Sequence, residues 1–241
     1  MAKPRLEDRI ALITGANRGI GRAVALAFAR EGAHVILLAR NVEALERVDD
    51  EIRGLGAAAT LVPLDLSCGE RIDNLGPTIY QRWGRLDILV ANAGVLGPLS
   101  PLGHIPSEQW DEVLEINLTA NWRLIRTTDP LLRASDAGRA IFVTSGAARN
   151  IRAYWGPYAV SKAGLEALVK TYAAETETTN LRVNLINPGA TATAMRAEAM
   201  PGEDPAALPA PEDVAPVFID LASPDCREHG QIIDARERIG K

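Results

Sequence analysis

The 241-residue sequence has few cysteines and few histidines, and neither set is spaced for a metal site. The two cysteines, Cys68 and Cys226, form no CxxC pair, so we expect neither a disulfide framework nor a structural zinc site. The histidines His34, His104 and His229 stand far apart and offer little material for a metal centre or a hydrolase triad. We therefore predict that no metal ion is bound.

Long hydrophobic runs, a secretory signal and an excess of positive charge are also absent. No apolar stretch approaches the ~20 residues that a membrane-spanning helix needs, and the first residues contain no apolar signal core. The formal net charge is −5, whereas nucleic-acid-binding domains usually carry a basic surface. These absences predict a cytoplasmic protein with neither a membrane nor a nucleic-acid partner.

The composition and the apolar pattern favour one α/β domain over residues 1–241. Hydrophobic residues make up 47% of the chain, which allows a sizeable core. Short aliphatic runs are candidate strands at residues 9–13, 34–38, 59–64, 86–91, 140–144, 181–186 and 231–234. Helical spacing lies between them, at residues 19–31, 42–55, 68–83, 107–132, 158–179 and 211–222. This alternation predicts a doubly wound, seven-stranded, mainly parallel sheet with helices on both faces.

Two features interrupt this pattern. Pro130 should end or interrupt the predicted helix 107–132, because proline lacks the N–H that a helix interior needs. Residues 190–211 are rich in Ala, Pro and Glu and show little apolar periodicity. They follow the sixth strand, at the edge where ligands bind in such sheets. We expect them to form a lid over a substrate pocket, and the alternative is a plain surface loop.

A glycine-rich turn, TGANRGIG at residues 14–21, follows the first strand and leads directly into a helix. Glycines allow a tight turn and let backbone amides approach an anion at the helix N-terminus. The spacing is G-x-x-x-G-x-G, not the G-x-G-x-x-G of the standard dinucleotide fingerprint. The turn is either a cofactor-phosphate site or a structural connection, and its place in the first βα unit favours the phosphate site.

The end of the second strand indicates which dinucleotide would bind. In such sheets an acidic residue about 20 residues beyond the turn holds the ribose 2′-hydroxyl of NAD. Here the strand ends at Ala39 and Arg40, and Arg18 lies in the turn. Guanidinium groups suit a 2′-phosphate through charge-assisted hydrogen bonds. The two arginines predict NADP(H), unless Arg40 is only a solvated residue after a strand.

The most informative pair is Tyr158 and Lys162, with Ser145 upstream. Residues four positions apart on a helix share a face, and an ammonium group near a phenol lowers the tyrosine pKa. Such a pair would act as a general acid–base near neutral pH. Because Y-x-x-x-K spacing also arises by chance, the interpretation depends on the accompanying glycine turn.

With these motifs in this order, the chain resembles the short-chain dehydrogenase/reductase family. The turn at 14–21, Asp65 after the third strand, NAG at 92–94, Ser145, the Y-x-x-x-K pair and PGxxxT at 188–193 span nearly the whole length. Residues 187–189, 193–197 and 203–205 also resemble the YciK-type bacterial oxidoreductases. One departure is IDAR at 233–236, where many relatives have V-D-G-G.

The resemblance implies a Rossmann-like fold and reversible hydride transfer between nicotinamide C4 and a carbonyl or secondary alcohol. Tyr158 would exchange the proton, and Ser145 would orient the substrate carbonyl. Lys162 would lower the tyrosine pKa and hold the nicotinamide ribose, and Asn117 would hold a water that links Lys162 to solvent. The cofactor contacts implied are Gly15, Asn17, Arg18, Gly19, Ile20, Gly21, Arg40, Asp65, Leu66, Asn92, Ala93, Gly94, Tyr158, Lys162, Pro188, Gly189, Thr191 and Thr193.

The sequence also bears on the substrate, the oligomeric state and the competing functions. The loops expected to form the pocket contain Leu96, Leu99, Leu102, Ile105, Ile151, Trp155, Met195 and Met200, which predicts a small apolar substrate. The resemblance implies a homo-oligomer, either a dimer or a tetramer. A non-catalytic NADP(H)-binding regulator is the alternative, although it would have no use for an acid–base tyrosine. A serine hydrolase is excluded, because the chain has no G-x-S-x-G elbow.

Overall fold

Seven strands form one sheet in the computed structural model, which describes residues 4–239. The strands are β1 (Ile10–Thr14), β2 (His34–Ala39), β3 (Ala59–Pro63), β4 (Ile88–Ala91), β5 (Arg139–Val143), β6 (Arg182–Asn187) and β7 (Ile232–Asp234). Their order is β3-β2-β1-β4-β5-β6-β7, and every neighbouring pair is parallel. The predicted Rossmann-like α/β fold is confirmed, with a sheet that is parallel throughout.

The helices connect these strands close to where the sequence predicts them. They are α1 (Gly19–Arg30), α2 (Val42–Gly54), α3 (Gly69–Asp73), α4 (Leu75–Trp83), α5 (Ser107–Leu114), α6 (Ala120–Arg133), α7 (Gly156–Glu175), α8 (Ala194–Ala199) and α9 (Pro211–Ala222). The predicted helix 68–83 is divided at Asn74 into α3 and α4. The predicted helix 107–132 consists of α5 and α6, which are joined by a π-helical turn, Glu115–Thr119. Within residues 4–239, no helix is long and apolar enough to cross a membrane.

Pro130 neither ends nor interrupts its helix, contrary to the sequence prediction. Helix α6 continues to Arg133, three residues beyond the proline. Proline has a φ close to the helical value, and it removes the one hydrogen bond that an N–H at position 130 would donate to the carbonyl of Arg126. Only three residues of α6 follow it, so little of the helix depends on that lost bond. The interruption of the predicted helix falls instead at the π-helical turn before α6.

Alternate strand residues face opposite sides of the sheet and bury two hydrophobic cores. Ile13 of β1 lies in one core with α1, α2 and α9, whereas Leu12 lies in the other with α4, α6 and α7. Phe28 and Phe142 are fully buried in the first and second core. Burying one such side chain stabilises the fold by roughly 1.5–3 kcal/mol. The sheet is therefore a rigid platform for the loops at its ends.

The topology opens a crevice at the carboxyl ends of β1 and β4. From β1 the chain continues to β2 and β3 on one side, and it returns to β4 on the other side. Ligands bind at such a switch point. The hydroxyl of Thr14, at the end of β1, accepts hydrogen bonds of 3.0 Å from the backbone N–H groups of Asn92 and Ala93. These bonds hold the two strand ends together.

Candidate active site

A cavity of about 530 Å³ lies at this carboxyl edge, a size typical of small-molecule and cofactor sites. Segments that follow each of the strands β1 to β6 line it. Every site residue predicted from the sequence lines the cavity except Gly21 and Asn117. Arg40 follows β2 and Ser145 follows β5, so three strand spacings, or roughly 14 Å, separate the two ends of the site.

The glycine turn brings backbone directly against the cavity. Gly15 and Gly19 have φ values of +65° and +53°, a left-handed conformation that side chains with a Cβ disfavour. A Cβ on Gly21 would lie 2.2 Å from the carbonyl oxygen of Gly15, so the helix can approach the turn only because position 21 is glycine. The side chain of Arg18 does not cap helix α1, and the first amides of the helix remain available to an anion.

Cationic side chains lie beside this turn. The Arg40 guanidinium is 3.6 Å from the Asp65 carboxylate, and Arg40 is 63% exposed. Burial opposes ionisation of Asp65, but hydrogen bonds from Ser67 and the nearby Arg40 outweigh it and hold the Asp65 pKa below its usual value. Arg18 is exposed and has no carboxylate partner within the described chain. Two guanidinium groups and one carboxylate thus leave this end of the cavity net positive.

Ser145 and Tyr158 meet where β5 and α7 face the cavity. Ser145 follows the end of β5, and its Oγ accepts a 3.2 Å hydrogen bond from the backbone N–H of Ala147. Tyr158 lies in the first turn of α7 and is 9% exposed. Burial raises the pKa of Tyr158, and a hydrogen bond with Ser145 only partly opposes this. The expected lowering of the tyrosine pKa is therefore not seen, because desolvation of the phenolate dominates.

Lys162 lies one helical turn beyond Tyr158, as the sequence predicts. Its Nζ is 5.8 Å from the centre of the Tyr158 ring and donates a 2.8 Å hydrogen bond to the main-chain carbonyl of Val143. Burial lowers the pKa of Lys162 to about 8. The amine also lies close to Gly94, since a Cβ there would be 3.6 Å from Nζ. Lys162 is thus placed to contact both the tyrosine and a ligand in the cavity.

Asn117 is fully buried and lies behind the cavity wall. Its Oδ1 accepts from the Val95 N–H at 2.8 Å, and its Nδ2 donates to the Val95 carbonyl at 2.9 Å and to Ser161 Oγ at 3.0 Å. These bonds fix the amide between the segment after β4 and α7, and the water-holding role that the resemblance implies for Asn117 stays a prediction. The π-helical turn places Asn117 against α7 and ties the segment after β4 to that helix.

Apolar side chains line part of the cavity, and one of them lies beside Tyr158. Leu96, Trp155 and Met195 line the cavity, as predicted, and Trp155 meets the Tyr158 ring nearly edge-on at 6.1 Å. Ile116 is a further lining residue. The other apolar loop residues proposed for the pocket, Leu99, Leu102, Ile105 and Ile151, lie outside this lining, and Met200 lines a neighbouring cavity of about 240 Å³.

Residues 190–211 form one wall of the cavity and contain the short helix α8. The backbone N–H of Ala192 donates to the Pro209 carbonyl at 2.9 Å, which joins the two ends of the segment. Arg196 donates to both carboxylate oxygens of Glu203, at 2.5 and 2.8 Å. This fork holds the pKa of Glu203 below its usual value. The segment is thus closed on itself by polar contacts.

Sequence reasoning missed four polar residues that also line the cavity, Asn41, Thr144, Asn187 and Arg196. Thr144 and Asn187 directly precede the predicted Ser145 and Pro188, so adjacency to a motif could have identified them. Arg196 lies in the predicted lid, but no sequence signal indicates that it lines the cavity.

Comparisons with known proteins agree with this geometry. The family model described as short chain dehydrogenase matches residues 9–204. The uncharacterised oxidoreductase YciK of Escherichia coli K12 is 42% identical over 235 residues, which cover 96% of this chain and 93% of the relative. A short chain dehydrogenase of Escherichia coli CFT073, solved in complex with NADPH, is 40% identical with a TM-score of 0.93, over 98% of this chain and 100% of that one. One from Shigella flexneri 2a, solved with NADP, is 41% identical with the same TM-score and coverage.

Proposed function

Because this chain belongs to the short-chain dehydrogenase/reductase family and is an oxidoreductase of that type, we propose that it is an NADP(H)-dependent enzyme. It reduces the carbonyl group of a small, largely apolar substrate and, in reverse, oxidises the corresponding secondary alcohol. One observation carries the proposal: a single cavity has arginines beyond β1 and β2 and the Ser145–Tyr158–Lys162 group beyond β5.

The cavity fits a nicotinamide dinucleotide. When bound, the nicotinamide supplies or accepts the hydride at C4. The glycine turn, where a Cβ on Gly21 would meet Gly15, leaves room for a pyrophosphate at the start of α1. Asp65 would lie beside the adenine ring and Lys162 beside the nicotinamide ribose. The NADPH and NADP complexes of the two similar structures support this assignment.

Arg18 and Arg40 would select NADPH over NADH. A 2′-phosphate presents oxygens that two guanidinium groups can bind through charge-assisted hydrogen bonds. Arg40 is only weakly paired with Asp65, at 3.6 Å, so it can turn to a phosphate without losing a strong ion pair. Position 39 is alanine, and no acidic side chain there would repel the phosphate.

Tyr158 and Ser145 would act on the substrate oxygen. Because burial raises its pKa, Tyr158 remains protonated at neutral pH and is ready to donate a proton as the alkoxide develops. The Ser145 hydroxyl would donate a hydrogen bond to the same oxygen. Lys162, with a pKa of about 8, is mainly protonated at neutral pH and stabilises negative charge that forms on the tyrosine. Asn117 would hold the water that links Lys162 to solvent, and its amide bonds hold the segment after β4 against α7.

The walls of the cavity suggest how the substrate is held. Leu96, Trp155 and Met195 would contact its apolar part beside Tyr158. Residues 190–211 would act as a lid that excludes water when substrate binds. We further propose a cytoplasmic homo-oligomer, a dimer or a tetramer, and small-molecule substrates as the only other partners.

A cofactor titration with a turnover assay tests this proposal. NADPH and NADH are titrated into the purified protein by calorimetry, and NADPH oxidation is followed with a panel of aliphatic and aromatic ketones, aldehydes and diketones. We expect NADPH to bind more tightly than NADH and at least one apolar carbonyl compound to be reduced. Equal or tighter binding of NADH would contradict the cofactor assignment. Tight NADPH binding without turnover of any carbonyl compound would favour the alternative function, a non-catalytic NADP(H)-binding regulator.

A further inference from the structure

A buried carboxylate on α7 contacts the strand end that carries Ser145. Glu166 follows Lys162 by one helical turn and Tyr158 by two, on the same face of the helix. It is only 7% exposed. Its Oε1 accepts a 2.9 Å hydrogen bond from the hydroxyl of Thr144 and lies 3.5 Å from Nε of Arg149. A buried carboxylate is costly unless such partners satisfy it.

The two partners of Glu166 lie on either side of Ser145. Thr144 directly precedes the serine, and Arg149 follows the short 3₁₀ helix Gly146–Ala148. Apart from its hydrogen bond with Tyr158, Ser145 makes only local bonds: its Oγ accepts from the N–H of Ala147, and its carbonyl accepts from the N–H of Ala148. Glu166 therefore joins both ends of this segment to the helix that carries Tyr158.

We propose that Glu166 is a positioning residue of the reaction: through Thr144 and Arg149 it holds segment 144–149 so that the Ser145 hydroxyl and Tyr158 face the same substrate oxygen. This inference rests on the proposed function, because Ser145 is given a role in that reaction. A misplacement of a reacting group by about 1 Å can lower the rate by a hundredfold. A contact that sets the serine relative to the tyrosine therefore affects kcat more than cofactor affinity.

The structure offers a graded set of variants. Glu166→Ala removes the acceptor and the charge, whereas Glu166→Gln keeps an oxygen that can accept from Thr144. Thr144→Val removes the donor and leaves the carboxylate beside Arg149, which provides a second test if Glu166→Ala does not fold. Glu175→Ala, an exposed glutamate at the end of the same helix, is the matched control.

Three measurements are made on each variant, and its melting temperature is recorded. Hydrogen exchange by mass spectrometry follows the backbone amides of residues 144–150 in the protein without ligand. Steady-state kinetics with NADPH and the best carbonyl compound of the panel give kcat, and calorimetry gives the Kd for NADPH. The exchange measurement reports on the segment even where no turnover is observed.

We expect Glu166→Ala and Thr144→Val to speed exchange in residues 144–150 and to lower kcat by about tenfold or more, with the NADPH Kd within about twofold of wild type. Glu166→Gln should recover most of kcat, and Glu175→Ala should match wild type.

The inference would be overturned if Glu166→Ala showed the same exchange rates and the same kcat as the wild-type protein. A parallel loss of kcat, NADPH affinity and melting temperature that glutamine does not rescue would also overturn it, since it indicates a general structural role. If the wild-type protein neither binds NADPH nor reduces any carbonyl compound, the proposed function is contradicted. The hydrogen-exchange result for residues 144–150 then decides by itself whether Glu166 holds segment 144–149 in place.

Discussion

The Nζ of Lys162 donates a 2.8 Å hydrogen bond to the main-chain carbonyl of Val143, the last residue of β5. This bond holds the amine inside the protein, next to the sheet edge, with its ammonium form largely desolvated. Burial accordingly lowers the pKa of Lys162 to about 8 from a reference value of 10.5. A buried amine whose pKa is lowered in this way makes folding stability depend on pH.

Replacing this amine should change the pH dependence of stability. Between pH 8 and about 10.5 the unfolded chain keeps the Lys162 proton and the folded chain releases it, so wild-type stability gains a contribution that rises with pH. The full effect is about 3 kcal/mol. In Lys162→Met this contribution is absent. Urea unfolding at several pH values should therefore show the free energy of unfolding of the wild type rising, relative to that of the variant, as the pH is raised from 8 to about 10.5. Lys170→Met, an exposed lysine on the same helix, should follow wild type. Parallel curves for wild type and Lys162→Met would contradict the burial of a titrating amine.

The double change Ala39→Asp with Arg40→Ala should reverse the cofactor preference. It removes a guanidinium that would bind the 2′-phosphate and introduces a carboxylate that can accept from the NAD ribose hydroxyl. The lost charge-assisted bond is worth about 1.5–3 kcal/mol, or roughly tenfold to a hundredfold in NADPH affinity. Calorimetric titration with both cofactors measures the change. An unchanged ratio of the two dissociation constants would place the 2′-phosphate away from Arg40.

Gly21→Ala should weaken NADPH binding by at least about tenfold and lower stability by roughly 1–3 kcal/mol. The new Cβ would lie 2.2 Å from the carbonyl oxygen of Gly15 and would push the turn out of place. Gly54→Ala is the control: nothing lies within 4 Å of its Cβ, and alanine should stabilise α2 by about 0.4–1 kcal/mol. Urea unfolding and NADPH titration compare the two variants. Normal cofactor affinity in Gly21→Ala would show that the turn does not hold the cofactor.

Residues 190–211 should exchange backbone hydrogens more slowly with NADPH and substrate bound than without ligand. Glu203→Gln breaks the charged fork with Arg196 and should speed exchange of the unliganded segment. Glu198→Gln, an exposed change on α8 within the same segment, should leave it unaltered. If exchange is already slow in the unliganded protein and unchanged by ligands, the segment is a fixed wall and not a lid.

The sequence predicts the fold well because the signals for a parallel sheet are local. Each buried strand is a short aliphatic run, and the family resemblance through ordered motifs is confirmed. Pro130 shows the limit of this reasoning, since its effect depends on how near the helix end lies. The π-helical turn at Glu115–Thr119 has no sequence pattern of its own and depends on the packing of Asn117 against α7.

The site is predicted less completely than the fold. Motif residues such as Tyr158, Lys162 and Gly15 lie in one cavity, as expected. The direction of the Tyr158 pKa shift could not be predicted, because spacing reveals the nearby lysine but not the burial that outweighs it. The same applies to Glu166, whose partners Thr144 and Arg149 come near it only in the folded chain.

The measurement that tests the central claim most directly is NADPH oxidation by Tyr158→Phe with the best carbonyl compound of the panel. The phenyl ring fills the same space, but it has no proton to transfer. We predict that kcat falls by about 10²–10⁴-fold while the NADPH Kd stays within about twofold of wild type. Tyr154→Phe, an exposed tyrosine without a lysine four residues later, should remain fully active. Retention of more than about a tenth of the wild-type rate by Tyr158→Phe would contradict the account, because the proton would then come from another group.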